Sequence, residues 1–310
     1  METVKKRIKP DLNIEIMGLK FKNPVIAASG TFGFGREFSK FIDPGLLGGI
    51  ALKALTLEPR EGNKPPRIAE TPSGILNSVG LQNPGIEYFL KNELINVKKY
   101  NTVIIANIAG NSISDYCGIS KKLSATSVEA IELNISCPNV KEGTVFGSTP
   151  EGVYEITSRV REVCGKPLIV KLTPNTADIA KNAMAAERAG ADAISLINTI
   201  LGMSIDIHTG RPVLNANYGG LSGPAVKPIA LRMVHQTASC VKIPVIGMGG
   251  IMSGDDAIEF ILAGASAVMA GTANIVNPTL CYDIIMGIER YLSDKGIKSV
   301  KEITGKLVMN

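Results

Sequence analysis

The feature that most restricts the fold of this chain is a series of short apolar segments rich in β-branched residues, each closed by a polar residue or a glycine. They run Pro24–Gly30, Gly49–Lys53, Val103–Asn107, Ala130–Asn134, Pro167–Lys171, Ala193–Asn198, Pro244–Gly247 and Ala267–Gly271. Near-continuous apolar runs of this length belong to strands covered on both faces, as in parallel sheets. The stretches between them have room for helices. One is predicted from Thr176 to Ala189, with Thr176 as cap, a stripe of Ile179, Ala183, Met184 and Ala186, and Gly190 as the stop. Another is announced by Ser222-Gly223-Pro224, a capping serine and an early proline ahead of Ala225 to Cys240. The segment Ala189-Gly190-Ala191-Asp192-Ala193-Ile194 is echoed by Ala263-Gly264-Ala265-Ser266-Ala267-Val268, each after a strand that opens on proline, which suggests a repeated βαβ unit. An open dinucleotide-binding sheet is disfavoured, because Gly247-Met248-Gly249-Gly250-Ile251-Met252 puts a methionine where the third glycine of that fingerprint would stand. The expectation is an α/β fold, a closed (β/α)8 TIM barrel, as one domain over residues 1–310. Three long loops, Thr56–Tyr88, Cys137–Thr149 and Thr199–Gly223, each follow a strand and so lie at the C-terminal face.

Composition narrows the partners. Apolar residues at 45% against 20% charged support a packed core and exclude a disordered chain. The net charge of +5 is dispersed, so no nucleic-acid partner is expected, and Lys5, Lys6, Arg7 and Lys9 read as a solvated end. The longest charge-free run worth testing as a membrane span, Phe260 to Val276, is interrupted by Gly264, Ser266, Gly271, Thr272 and Asn274. It reads as a helix end, a turn, a buried strand and a loop, and no membrane association is expected. The N-terminus shows no apolar signal region, so the expected location is the cytoplasm. Five separated cysteines and two histidines offer neither a disulfide framework nor a metal site, and Cys117, Cys164, Cys240 and Cys281 read as small buried hydrophobes.

In such a barrel the chemistry sits at the carboxyl ends of the strands, and here those ends carry Ser29, Lys53, Asn107, Asn134, Lys171 and Asn198. One strand-end Asn or Ser ordinarily satisfies loop backbone; six on one rim mark a site. Lys53 and Lys171 close apolar strands, and a buried lysine demands a partner charge or an electron-rich ligand. The glycine turns Gly247-Met248-Gly249-Gly250 and Ala270-Gly271-Thr272, with Gly223 at a helix start, together suit a phosphate, because backbone N–H groups can approach it there. Cys137 stands apart from the other cysteines. It opens a long loop directly beyond a strand end, where a thiol of lowered pKa could act as a proton-transfer base. These residues alone leave open a lyase that forms a Schiff base on Lys171 or Lys53.

Three segments then carry a resemblance: Asn134-Ile135-Ser136-Cys137-Pro138-Asn139, Asn77-Ser78-Val79-Gly80-Leu81-Gln82-Asn83, and Gly219-Gly220-Leu221-Ser222-Gly223-Pro224-Ala225-Val226-Lys227-Pro228. Together they resemble class 1 dihydroorotate dehydrogenases, flavin enzymes of pyrimidine synthesis, over essentially the whole chain. The resemblance implies oxidation of dihydroorotate to orotate, with Cys137 removing the C5 proton while hydride leaves C6 for one FMN per chain. It implies substrate contacts from Lys53, Asn77, Ser78, Val79, Gly80, Leu81, Asn134, Asn139, Asn198 and Thr199. It implies FMN contacts from Ser29, Gly30, Lys53, Ala54, Asn107, Asn134, Lys171, Ile197, Gly223, Gly249, Gly250, Gly271 and Thr272, with Lys171 beside the flavin N1–O2 edge. The segment Asn198 to Asp206 followed by Arg211-Pro212 is similar to the class 1B catalytic subunit. That implies an iron–sulfur flavoprotein partner carrying FAD and a [2Fe–2S] cluster, NAD as acceptor, and a homodimer of this chain within a heterotetramer. The fumarate-using class 1A homodimer and a non-catalytic flavin-binding subunit stand as alternatives.

Overall fold

The structure, a computed structural model, describes residues 8–136 and 146–310. All the predicted strands form: β1 (Val25–Ala27), β2 (Gly49–Ala51), β3 (Val103–Ile108), β4 (Ala130–Asn134), β5 (Leu168–Lys171), β6 (Ala193–Leu196), β7 (Val245–Met248) and β8 (Ala267–Ala270). They close in chain order into a parallel barrel, the seam being made by Val268, Met269 and Ala270 of β8 against Val25, Ile26 and Ala27 of β1. Apart from Asn134, every residue of these strands is buried. This is why they read as unbroken apolar runs and not as alternating ones.

Helices of nine or more regular residues follow six of the strands: α1 (Ile113–Ser124), α2 (Pro150–Arg161), α3 (Ile179–Arg188), α4 (Lys227–Ala238), α5 (Gly254–Leu262) and α6 (Leu280–Lys295), while β2 is followed by an irregular helical stretch over Ile86–Tyr88, Phe89–Glu93 and Leu94–Val97. Ser112, Thr149, Asp178 and Ser253 cap α1, α2, α3 and α5, each side chain accepting a backbone N–H of the first turn. The cap of α3 is therefore Asp178 and not the expected Thr176, whose hydroxyl instead donates to the Ser148 carbonyl at 2.9 Å. Met184 is exposed, and the inner face of α3 carries Asn182 in addition to the predicted alanines. Ser222 is not a cap either. The chain turns at Gly223 (φ +103°), passes a 3-10 turn over Pro224–Val226 and enters α4 with no side-chain cap, while the Ser222 hydroxyl accepts from Thr272 at 2.8 Å.

Two of the three expected loops fold further. Ile200–Gly202, Gly219–Ser222, Gly74–Asn77 and Ile68–Thr71 make a four-stranded antiparallel sheet over the C-terminal face. Its centre tolerates only glycine at position 220, where a Cβ would stand 2.0 Å from Thr199 Oγ1. Most of the third loop lies outside the described residues. Near the opposite end, the hairpin Ile14–Ile16 and Leu19–Phe21 turns through Met17 and Gly18, both at positive φ, and lays Phe21 against Gly49 at the start of β2. The Phe260–Val276 run holds the end of α5, then β8, then a short helix, Thr272–Val276, where a loop was expected. Among the described residues no helix is long and apolar enough to cross a membrane.

Candidate active site

Parallel alignment of the strands brings the expected residues to one rim. Ser29 and Gly30 follow β1, Lys53 and Ala54 follow β2, Asn107 lies in β3, Asn134 and Lys171 end β4 and β5, and Ile197, Asn198 and Thr199 follow β6. Gly249 and Gly250 follow β7, and Gly271 and Thr272 follow β8. Cys137 and Asn139 lie outside the described residues.

A buried polar layer underlies this rim. Glu132, with no exposed surface, accepts from Asn107 Nδ2 at 2.5 Å and from Ser195 Oγ at 2.7 Å. Register explains the meeting: Asn107 pairs with Glu132, Asn134 with Lys171, and Lys171 with Ser195, so Glu132 spans from β3 to β6 past the strand of Lys171. The other amide atom of Asn107, Oδ1, is buried and has no hydrogen-bond partner among the described residues. Nearer the surface, Asn134 Oδ1 accepts from Ser136 Oγ at 2.7 Å and from Asn198 Nδ2 at 3.1 Å. Asn198 Nδ2 also donates to Ser136 Oγ, and Asn198 Oδ1 accepts the Thr199 N–H at 2.8 Å. With its oxygen so engaged, Asn134 keeps its amide hydrogens free of partners among the described residues. The Tyr116 hydroxyl holds the backbone of the same residue, donating to the Asn134 carbonyl at 2.8 Å.

Two lysines at this rim make no ion pair among the described residues. Among the described residues no hydrogen bond or ion pair reaches the ammonium of Lys171, which is 6% exposed, or that of Lys53. Burial, and secondarily the Arg67 guanidinium, push Lys53 below the ordinary lysine value of 10.5. Arg67 itself is spent on the Asn63 carbonyl at 3.1 Å and on Gln82 Oε1 at 2.6 Å.

The turn from Asn77 to Leu81 is built beside it. Asn77 ends an accessory strand and donates to the Gly220 carbonyl at 3.3 Å. Gly80 and Leu81 both have positive φ, the Ser78 and Val79 carbonyls accept from Asn63, and Ser78 Oγ is buried without a partner among the described residues. The glycine turns converge as well. A Cβ on Gly250 (φ +77°) would stand 2.8 Å from the Lys227 nitrogen and 2.9 Å from the Gly223 carbonyl oxygen, and one on Gly223 would stand 2.7 Å from Gly74 Cα. At Gly271 the same atom would meet only ordinary contact, the nearest neighbour being Ala28 Cβ at 3.6 Å.

Reading the strand ends missed Glu132, Ser136, Ser195, Arg67 and Ser222. One signal was present: Glu132 is a charged residue inside an apolar strand, two positions before Asn134 and so on the same face.

The model of the family described as dihydroorotate dehydrogenase matches residues 11–292. The chain belongs to the dihydroorotate dehydrogenase family. Its relatives in that family include a protein of Alkaliphilus metalliredigens, 55% identical over 96% of this chain and 99% of the relative. One of Caldicellulosiruptor saccharolyticus is 56% identical over the same shares, and one of Bacillus pumilus is 52% identical over 95% of this chain and 96% of the relative. All three are named dihydroorotate dehydrogenase B (NAD(+)), catalytic subunit, which is the class 1B form.

Proposed function

We infer that this chain is the catalytic subunit of an NAD-linked dihydroorotate dehydrogenase, oxidising dihydroorotate to orotate in pyrimidine synthesis. The observation that carries the site reading is the pair Lys53 and Lys171, two rim cations that make no ion pair among the described residues. An anionic, amide-bearing pyrimidine satisfies such a rim: Lys53 answers the carboxylate, and Asn77, Asn134, Asn139 and Asn198 offer paired donors and acceptors to the ring. Thr199 and the turn Ser78, Val79, Gly80 and Leu81 complete the substrate contacts. The Schiff-base lyase is set aside, since relatives at 51–56% identity carry the dehydrogenase name.

The residues present fit FMN. Asn107 holds out a buried acceptor with no donor among the described residues, Lys171 offers a fixed positive charge to an electron-rich ring edge, and the Gly249-Gly250 turn packs on Gly223, which in turn lies beside Thr272, so that these glycine turns would supply the backbone N–H groups a phosphate needs. Ser29, Gly30, Lys53, Ala54, Asn134, Ile197 and Gly223 line the remainder of the proposed cofactor site. When bound, the flavin supplies the two-electron acceptor for hydride. Cys137, three residues beyond Asn134, takes the proton from C5; its neutral thiol product is then relieved of that proton to solvent. The Ser136–Asn134–Asn198 cluster sits at the base of the same loop and orients the substrate ring.

The relatives' name, a catalytic subunit that works with NAD, implies a companion subunit. In our proposal it is an iron–sulfur flavoprotein with FAD and a [2Fe–2S] cluster, joined to a homodimer of this chain in a cytoplasmic heterotetramer. The test is turnover of the purified single chain with NAD⁺, fumarate and a dye separately. Dihydroorotate should reduce the bound flavin and the dye should reoxidise it, with NAD⁺ nearly inert until the companion is added. Rapid NAD⁺ reduction by the single chain would sink the two-subunit reading, and rapid fumarate reduction would move it to the homodimeric class.

A further inference from the structure

Glu132 is a buried carboxylate that the reaction itself does not use. It lies in the middle of β4, has no exposed surface, and its described hydrogen bonds are two neutral donors, Asn107 Nδ2 and Ser195 Oγ. Lys171 on the neighbouring strand makes no ion pair with it; burying a charge whose hydrogen-bond partners are both neutral is costly, and a glutamine of the same shape would lessen that cost. The difference between the two lies in what each allows its neighbour. A carboxylate only accepts, so Asn107 must turn its NH2 toward Glu132 and its oxygen away. A glutamine both donates and accepts, so it would tolerate Asn107 in either orientation. Consistent with the first case, Asn107 Oδ1 is the edge left buried and without a partner.

We propose that Glu132 is a positioning residue: it fixes the Asn107 amide so that an oxygen, not an NH2, is offered to the cofactor, selecting an occupant with a ring N–H. This rests on the FMN reading above and adds its selectivity. The oxidised isoalloxazine ring carries a single N–H, at N3, while its neighbouring ring positions are acceptors; a flipped Asn107 would set donor against donor. Ser195 completes the clamp from the far side of the Lys171 strand, so the carboxylate is held at both oxygens.

The test uses apo-protein freed of flavin and titrated with FMN, followed by quenching of flavin fluorescence. Glu132→Gln is expected to melt as apo-protein at or above the wild-type temperature, yet to bind FMN about tenfold more weakly, the scale of one hydrogen bond. In an Asn107→Ala background the same substitution should cost nothing further, because the two residues act as one unit. Equal losses in both backgrounds, or no loss in either, would overturn the proposal. A second probe needs no variant: wild-type protein should bind FMN methylated at N3 at least tenfold more weakly than FMN, and equal binding would also overturn it. Failure of the wild-type protein to take up FMN at all would instead strike the cofactor reading on which the inference rests.

Discussion

The two sides of the rim are made of different material. From β3 to β6 the site consists of side chains: Asn107, Glu132, Asn134, Lys171, Ser195 and Asn198, most of them joined by short hydrogen bonds. From β7 to β8 it consists of backbone: Gly249, Gly250 and Gly271, with Thr272 and Ser222 sharing one hydroxyl contact. A planar ring with distinct donor and acceptor edges is read by side chains that can be placed atom by atom. A phosphate, which accepts from any direction, is met by N–H groups that only a chain without Cβ atoms can bring close. One half is therefore sensitive to the loss of a functional group, the other to the gain of a methyl.

That contrast can be broken by substitution. The largest expected effect is in the side-chain half: Cys137→Ala should slow flavin reduction by dihydroorotate by roughly 10²–10⁴-fold while orotate binding is retained. Anaerobic stopped-flow measures it, and a wild-type rate would take proton transfer away from Cys137. Next comes Gly250→Val in the backbone half. Its Cβ would press on the Lys227 nitrogen and the Gly223 oxygen at positive φ, so the apo-protein should lose about 2–4 kcal/mol of stability. A variant that melts normally and merely lacks FMN would show that the glycine protects the phosphate approach and not the packing.

The third prediction concerns pH. The folded-state pKa of Lys53 is lowered, chiefly by burial and further by Arg67. Folding therefore disfavours the charged lysine: the apo-protein carries this penalty below the folded pKa, and it is relieved as pH rises from there toward 10.5. Orotate binding runs the other way, since it needs the cation; affinity should fall as pH rises through the lowered pKa. Isothermal titration across alkaline pH checks this, and Lys53→Met should abolish the inflection; an inflection that survives in that variant belongs to another group. The smallest effect is expected at Gly271→Ala, where φ is negative and the added methyl meets Ala28 at ordinary distance. Stability should change by no more than about 0.5 kcal/mol in a thermal melt. A large loss there would make the β8 turn as tightly packed as the β7 turn, and the two turns would no longer differ.

The fold was legible because burial on both faces leaves a mark in every strand: β3 is apolar at five of its six positions, and β5 ends its apolar run on Lys171. The antiparallel sheet over the face left no such mark. Its strands are three or four residues of mixed exposure, such as Ile68–Thr71 and Ile200–Gly202, and what joins them into one sheet is the pairing of Gly74–Asn77 with Gly219–Ser222, segments more than a hundred residues apart. The caps of α3 and α4 were misread for a related reason. Thr176 and Ser222 are both good capping types, but each has a tertiary partner, the Ser148 carbonyl and Thr272, that takes the hydroxyl elsewhere.

By itself the sequence determined the eight barrel strands, their closure and the rim on which Lys53, Asn107, Asn134, Lys171 and Asn198 stand, because apolar runs and their polar ends are local properties. Only the tertiary structure decided how those residues are oriented. The pairing of Glu132 with Asn107 and Ser195, and of Asn134 with Asn198, depends on the stagger between strands, and register is set by packing around the whole barrel and written in no single segment.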